Sequence, residues 1–282
     1  MGNYANQSHW QDIQRFLPES FRLQPGEEPT ETWWPWRQYR IHLDCYRRPE
    51  APVKVILFHG VGTNGRQMST ILGAPLAHRG IETIAVDMPG YGMTQTGGQR
   101  RRVRYDDWVQ IGSDLIDAER ARDARPIVLY GLSAGGMETY HVAALNRQVK
   151  GIVGMTFLDQ REQQVRDETA LNRMMSRLGI PLARLVAATP LAWVTMRFLA
   201  SYAAYAPAIE PEDFDVCPIL LTQPAQDRWT PLHLSELFLR RVRRVPVSTV
   251  MLENAGHYPL EQPGLDQMVE AVYRFCIAAA TQ

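Results

Sequence analysis

The chain has 282 residues, of which 45% are apolar and 21% charged, a composition typical of a folded globular protein rather than a disordered or fibrous one. Its 30 basic residues balance its 30 acidic residues, so no overall charge would draw it to nucleic acid or to an anionic membrane. The cysteines, Cys45, Cys217 and Cys276, fit neither a metal-ligand spacing nor a disulfide framework. We therefore expect reduced buried thiols, no bound metal and no nucleic-acid partner.

The sequence has no pattern of a membrane anchor. Its N-terminal part lacks the apolar run of a signal peptide, and the most apolar stretch, residues 191–206, is too short to cross a bilayer and carries Arg197. We expect a cytoplasmic protein without stable membrane insertion, and we leave homodimer formation open.

Short apolar runs alternate with helical patterns along most of the chain. This alternation predicts an α/β fold, with a mostly parallel central sheet that is flanked by helices. The runs show little polar alternation, which favours strands buried on both faces. The predicted strands are Val53–Phe58, Thr83–Val86, Ile127–Tyr130, Gly151–Phe157, Ile219–Thr222 and Val247–Leu252. Before them, Gln38–Tyr46 alternates like an antiparallel entry strand.

One region breaks this alternation. Residues 159–215 contain two helical patterns and no strand run, so they are interpreted as an inserted helical lid. The first pattern, residues 171–178, stops at Gly179, and the second starts at Thr189 with proline at its first helical position. Residues 1–158 and 216–282 then form the core, with about 35 residues as an N-terminal extension. The extension carries a run of tryptophans, residues 33–36, that is more typical of packing than of recognition.

Ser133 lies in the segment GLSAGG, between a predicted strand and a predicted helix. Gly131 and Gly135 stand two positions on either side of it. A sharp strand-to-helix turn brings backbones close together and needs small residues there, and it lifts the serine hydroxyl above the sheet edge. The helix N-terminus also favours the anion that forms on nucleophilic attack. The pattern therefore indicates a candidate nucleophile.

A base and an acid follow at the ends of later strands. His257 comes after Val247–Leu252, and Asp227 comes after Ile219–Thr222, in the loop before a helix. Both would stand at the carboxyl edge of the sheet with Ser133. A carboxylate there can accept the second ring N–H of the histidine and stabilise the imidazolium. Another histidine, His141, lies on a packed helix face and is interpreted as a buried core residue.

Asp159 competes with Asp227 for the role of acid. It follows the strand before that of Asp227 and gives the same chain order of serine, aspartate and histidine. Because Asp159 opens the lid, where it would cap a helix, the sequence favours Asp227 and keeps Asp159 as the alternative.

The glycine-rich loop HGVGTNG, residues 59–65, follows the strand Val53–Phe58. A backbone N–H of this loop, that of Val61, can pair with the N–H of Ala134 to bind an oxyanion. These two amides complete the set of groups that acyl transfer requires.

Five segments occur in one order: HGVGTNG (59–65), DMPGYG (87–92), GLSAGG (131–136), PAQDRWTP (224–231) and NAGHYPLEQP (254–263). Together they resemble the α/β-hydrolase superfamily, in its branch of monoacylglycerol lipases, lysophospholipases and small carboxylesterases. The resemblance implies the α/β-hydrolase fold with a helical lid, Ser133, Asp227 and His257 as a triad, the Val61 and Ala134 amides as oxyanion hole, and no cofactor. Serine at the elbow argues against the branches with an aspartyl nucleophile.

The expected activity is hydrolysis of a small-molecule carboxylic ester that carries an apolar acyl or alcohol group. The apolar lid residues Trp193 and Met196 are candidates for the substrate pocket, although packing of the lid onto the core explains them almost as well. Three alternatives use the same triad: hydrolysis of a thioester, hydrolysis of an amide or peptide bond, and non-hydrolytic acyl transfer or lyase chemistry. A scaffold protein with a spent site is disfavoured by the intact triad.

Overall fold

The computed structural model describes residues 14–169 and 190–281, and for Arg101 and residues 190–196 it describes the backbone only. The described residues contain one sheet of eight strands. The strands are β1 (Thr30–Trp36), β2 (Tyr39–Tyr46), β3 (Lys54–Phe58), β4 (Glu82–Asp87), β5 (Ile127–Gly131), β6 (Gly151–Gly154), β7 (Ile219–Pro224) and β8 (Val247–Leu252). Their order across the sheet is β1-β2-β4-β3-β5-β6-β7-β8. Strands β1 and β2 form an antiparallel hairpin, and β2 also pairs antiparallel with β4. The other neighbouring strands are parallel. The predicted mostly parallel sheet is confirmed.

The helices connect the strands and cover both faces of the sheet. They are α1 (Gly65–Met68), α2 (Ala74–His78), α3 (Tyr105–Arg122), α4 (Ala134–Leu145), α5 (Gln163–Glu168), α6 (Pro190–Ala203), α7 (Leu232–Leu239) and α8 (Gly264–Ala280). A π-helical turn, Ser69–Gly73, joins α1 to α2, and short 3-10 turns lie at Glu19–Phe21, Arg100–Arg102 and Pro211–Asp213.

Strand β3 shows how the chain fills both sides of the sheet. Successive strand residues point to opposite faces. Ile56 and Phe58 join the core that α3 and α4 form on one face, whereas Val55 and Leu57 join the core that α8 forms on the other. An uninterrupted apolar run is therefore the pattern that a central strand needs.

Two predicted strands differ from the observed ones. Strand β6 ends at Gly154 and not at Phe157, because the Phe157 amide donates to Ser235 Oγ of α7 at 3.0 Å and turns the chain away from the sheet. Strand β8 was expected to be buried on both faces, but most of its residues are exposed. The reason is its place at the edge of the sheet, where β7 is its neighbouring strand on one side and only Val250 and Leu252 pack against the core that α8 forms.

The N-terminal tryptophans belong to the sheet, since residues 33–36 form most of β1. Trp36 is buried, and its indole N–H donates to Asp114 Oδ2 of α3 at 2.6 Å. The sheet thus begins inside the segment expected to be an extension, at Thr30.

Helix α6 starts at Pro190, as the capping pattern predicts, and docks on α3. The amide of Tyr105 donates to Ser201 Oγ at 2.8 Å, and the rings of Trp108 and Phe198 lie 4.4 Å apart. The other predicted lid helix, residues 171–178, lies outside the described residues. Trp193 and Met196 are on α6, but their side chains also fall outside the described part, so both stay sequence-based candidates.

Candidate active site

Ser133 occupies the turn between β5 and α4 with φ of 56° and ψ of −119°. A positive φ is unfavourable for a residue with a side chain, by roughly 1–3 kcal/mol, and persists only where the surroundings enforce it. The surroundings here are tightly packed. A Cβ on Gly131 would lie 1.9 Å from the Gly135 carbonyl oxygen, and one on Gly135 would lie 2.8 Å from the Phe58 carbonyl oxygen. The glycines on either side of Ser133 are thus required by close backbone contacts.

The loop after β3 lies against Ser133. A Cβ on Gly60 would stand 2.8 Å from Ser133 Cβ, so only glycine permits this approach. His59 fixes the loop from inside the protein: its ring is buried, with Nδ1 2.8 Å from the Gly60 carbonyl oxygen, and Nε2 accepts a hydrogen bond from the Met88 amide at 3.1 Å. Burial lowers the pKa of His59, which keeps the ring neutral and suited to one donor and one acceptor role.

The amides of Ala134 and Val61 border the same turn. The next two amides of α4 are used inside it, since Gly135 and Gly136 donate to the carbonyl oxygens of Leu132 and Ser133 at 2.9 and 2.8 Å. Within the part of the chain that the structure describes, neither Ala134 N–H nor Val61 N–H donates to another group. Both amides are therefore available to a substrate oxygen.

His257 and Asp227 form a pair at the carboxyl ends of β8 and β7. His257 Nδ1 lies 2.8 Å from Asp227 Oδ2, and the carboxylate is fully buried. Because an ionised carboxylate only accepts hydrogen bonds, Nδ1 carries the proton and donates it, which leaves Nε2 of a neutral ring able to accept one. This is the tautomer that a general base next to a serine needs.

The loop after β7 holds Asp227 in its ionised form. Asp227 Oδ1 accepts from the amides of Trp229 and Thr230 at 2.8 and 2.9 Å, and Oδ2 accepts from the Thr230 hydroxyl at 2.5 Å. Burial opposes ionisation, but the hydrogen bonds from His257 and Thr230 outweigh it, so the pKa of Asp227 lies below its usual value.

Asp159 has different partners. Its carboxylate accepts from Arg161 Nη2 at 2.8 Å, and Arg241 Nη1 lies 3.5 Å away. Burial opposes ionisation here as well, and the Arg161 guanidinium overrides it and lowers the pKa of Asp159. Of the two aspartates that the sequence left in competition, only Asp227 contacts His257 among the described residues.

Two residues beside His257 were missed by the sequence reasoning. The Thr230 hydroxyl lies 3.2 Å from His257 Nδ1 as well as donating to Asp227. The indole of Trp229 stacks on the His257 ring, with centroids 5.6 Å apart and planes 14° apart. Their position three and two residues after the acid, in PAQDRWTP, is the signal that could have identified them.

Helix α4 also carries an acid without a partner. Glu138 is completely buried, and neither carboxylate oxygen has a hydrogen-bond partner among the described residues. Burial raises the pKa of Glu138 well above its usual value, which favours the neutral acid. The helical period places Glu138 on one stripe with Ala134 and His141. His141 is buried, as the sequence predicts, with Nδ1 2.8 Å from the Tyr105 hydroxyl.

A polar cluster on the hairpin side of the sheet resembles a metal site only in part. Ligand atoms of Glu31, His42 and Asp44 lie within 4.8 Å of one another. The guanidinium of Arg66 lies among them, however, paired with Glu31 and 3.6 Å from Asp44 Oδ2. An arginine thus supplies the positive charge that these acids would otherwise share with a cation.

The described cysteines Cys45, Cys217 and Cys276 are all buried and form no disulfide. Among the described helices, none combines the length and the apolar character needed to cross a bilayer.

Comparisons with known proteins identify the family and the fold. The model of the alpha/beta hydrolase family matches residues 55–271. No curated protein sequence matches the chain significantly. Among solved structures, a soluble variant of monoglyceride lipase from Saccharomyces cerevisiae, in complex with a substrate analogue, superposes with a TM-score of 0.65 at 14% identity, over 89% of this chain and 95% of that one.

Two further solved structures have the same fold. Est1E from Butyrivibrio proteoclasticus with bound ferulic acid gives a TM-score of 0.64 at 17% identity, over 89% of this chain and 100% of that one. The thioesterase domain from the curacin biosynthetic pathway gives 0.58 at 15% identity, over 88% and 99%. The family match spans most of the sequence, and the eight-stranded sheet has the architecture of these neighbours. The chain belongs to the alpha/beta hydrolase family.

Proposed function

We propose that the protein is a serine hydrolase of carboxylic esters, with Ser133 as nucleophile, His257 as general base and acid, and Asp227 as the residue that orients the base. The observation that carries the proposal is the buried Asp227–His257 hydrogen bond of 2.8 Å at the sheet edge where Ser133 is held at positive φ. A structural serine would not require the strained turn, and a structural histidine would not require a buried carboxylate on its Nδ1.

The reaction follows from these groups in two halves. In the first, His257 Nε2 takes the Ser133 hydroxyl proton while Oγ attacks the ester carbonyl carbon. The tetrahedral oxyanion is bound by the Val61 and Ala134 amides, each worth about 3–4 kcal/mol of transition-state stabilisation. Collapse of the intermediate breaks the bond to the alkoxide, which receives the proton from His257 and leaves as alcohol.

In the second half, His257 removes a proton from water, and the hydroxide attacks the acyl-enzyme carbonyl. The intermediate collapses with release of the carboxylic acid, and the Ser133 oxygen regains its proton. Asp227 stays ionised throughout, because its hydrogen bonds lower its pKa. All these groups belong to the protein chain, and the cycle returns each of them to its initial protonation state.

Labelling with a fluorophosphonate probe tests the proposal. We expect covalent labelling of the wild type and none of Ser133→Ala. Ser20→Ala, at an exposed position of the N-terminal segment, is the matched control and should label like the wild type. A folded wild type that does not label would contradict the proposed function.

The type of bond that is cleaved is tested with an oxygen ester, a thioester and an anilide of the same acyl group. We expect hydrolysis of the oxygen ester to exceed that of the thioester and of the anilide. Faster cleavage of the acyl thioester would move the function to a thioesterase, and faster cleavage of the anilide to an amidase, with the same three residues. Transfer of the acyl group to an added alcohol in preference to water would indicate an acyltransferase.

A further inference from the structure

A cavity of about 370 Å³ lies between the N-terminal segment and the loops that carry Val61 and His257. Its walls include Phe16, Gly62, Gln67, Tyr258 and Leu260, with Ile71 among the residues that line it. Ligand sites in proteins have volumes of about 300–1,000 Å³, so this cavity has the size of a small substrate group.

The cavity adjoins two groups of the proposed mechanism. Gly62 directly follows Val61, whose amide is a proposed oxyanion donor. Tyr258 directly follows His257, and its ring contacts the His257 ring edge-on with centroids 5.2 Å apart. A group bound in this cavity would therefore contact Tyr258, whose ring itself contacts the base.

The walls are suited to an apolar ring. Phe16 is a large apolar side chain that is 75% exposed to solvent, and Ile71 is buried. Covering an exposed phenylalanine with an apolar ligand removes its surface from water at roughly 25 cal/mol per Å². The rings of Phe16 and Tyr258 also provide surfaces for edge-on or offset contacts with an aromatic ligand.

We propose that this cavity is the subsite for the alcohol part of the ester, and that it selects apolar, ring-bearing alcohols. The proposal rests on the proposed function, because the assignment to the alcohol side of the ester depends on His257 acting as the general acid. The general acid must stand next to the leaving oxygen, so the pocket that begins at the neighbour of His257 receives the leaving alcohol.

Two isomeric esters test the assignment. Benzyl acetate carries its ring on the alcohol side and methyl phenylacetate carries the same ring on the acyl side. In Phe16→Ala we expect kcat/KM for benzyl acetate to fall about tenfold and that for methyl phenylacetate to change less than about twofold. Phe16 is exposed, so its truncation leaves the core intact. Leu145→Ala, an exposed leucine at the end of α4, is the matched control and should change neither substrate.

A second variant reduces the cavity. Leu260→Trp should lower kcat/KM for benzyl acetate at least as much as Phe16→Ala does, while the rate of fluorophosphonate labelling verifies that the protein is folded. Equal losses for both isomers, no loss for either, or cleavage of neither isomer by a wild type that labels would overturn the subsite. A selective loss for methyl phenylacetate would overturn the assignment to the alcohol side.

Binding without turnover separates this proposal from the proposed function. Ligand-detected saturation-transfer NMR with benzyl alcohol should give a signal with Ser133→Ala and lose most of it with Ser133→Ala combined with Leu260→Trp. A wild type that binds benzyl alcohol in this way but does not label with the fluorophosphonate would contradict the serine mechanism and leave the ligand site in place. A wild type that labels but whose Ser133→Ala variant gives no signal would overturn the subsite alone.

Discussion

Two aspartates end neighbouring parallel strands of this sheet and have opposite surroundings. Asp159 follows β6 and Asp227 follows β7; both are buried, and both have a lowered pKa. Asp159 is paired with guanidinium groups, which stay protonated at all pH values of interest. Asp227 is paired with an imidazole, which changes charge during acid–base chemistry. The partner, rather than the position or the burial, determines whether a carboxylate at this edge can take part in a reaction.

The most direct test of this difference is to neutralise each aspartate in turn. Asp227→Asn removes the charge that stabilises the imidazolium and favours the wrong His257 tautomer, so kcat for a short-chain ester should fall by about 10⁴. Asp159→Asn should leave kcat within about threefold of the wild type. If Asp159→Asn causes the larger loss, the role of acid moves to Asp159.

Thr230 tests the difference further, because its hydroxyl donates a hydrogen bond to Asp227. Thr230→Val keeps the shape of the side chain and removes the hydroxyl that donates to Asp227 Oδ2. A hydrogen bond to a charged group contributes about 1.5–3 kcal/mol, so kcat/KM should fall by roughly 10- to 100-fold. Activity equal to that of the wild type would contradict this account.

Glu138 extends the comparison to a buried carboxyl group whose oxygens have no hydrogen-bond partner among the described residues. Its pKa is raised, so above the pKa of the unfolded chain, about 4.3, the unfolded state releases the proton while the folded state keeps it. The free energy of unfolding then decreases by about 1.4 kcal/mol for each pH unit, up to the folded pKa.

Glu138→Gln removes this contribution, so the variant should gain stability relative to the wild type as the pH rises above the pKa of the unfolded chain. Urea unfolding at each pH measures the difference. Parallel stability curves for the two proteins would show that Glu138 ionises in the folded state.

The smallest expected effect is on the stability contributed by Asp159. Its partners Arg161 and Arg241 are partly exposed, and Arg161 keeps a second carboxylate, Glu210, at 2.7 Å. Asp159→Asn should therefore lower the free energy of unfolding by only about 1 kcal/mol, and less at high salt. Thermal unfolding at two salt concentrations provides the measurement. A loss above about 3 kcal/mol would mean that the pair is effectively sealed from water.

Those features that follow from local sequence could be predicted. The turn at Ser133 is encoded by an apolar run, a glycine on either side and a helical pattern, all within a few residues. The candidates His257 and Asp227 follow strand runs at the chain positions that parallel topology brings to one edge. The start of α6 at Pro190 was readable for the same reason.

The missed features depend on contacts between distant parts of the chain. No local sequence pattern indicates that Phe157 leaves the sheet and donates a hydrogen bond to Ser235, or that β8 lies at an edge of the sheet. Trp36 looks unexplained until β1 pairs with β2 and its indole reaches Asp114. The cavity beside Tyr258 likewise needs Phe16, which the sequence separates from it by most of the chain.

The order of strands in the sheet has a consequence for how activity is gained during folding. The proposed reaction centre takes its groups from loops after β3, β5, β7 and β8, and β6 must be in place between β5 and β7 before these loops become neighbours. Parallel pairs of this kind are non-local and form slowly, so partially folded chains hold a serine without its base. Reactivity toward a fluorophosphonate should therefore appear late in refolding and together with the native sheet, which makes the chemistry of Ser133 a reporter of cooperative folding.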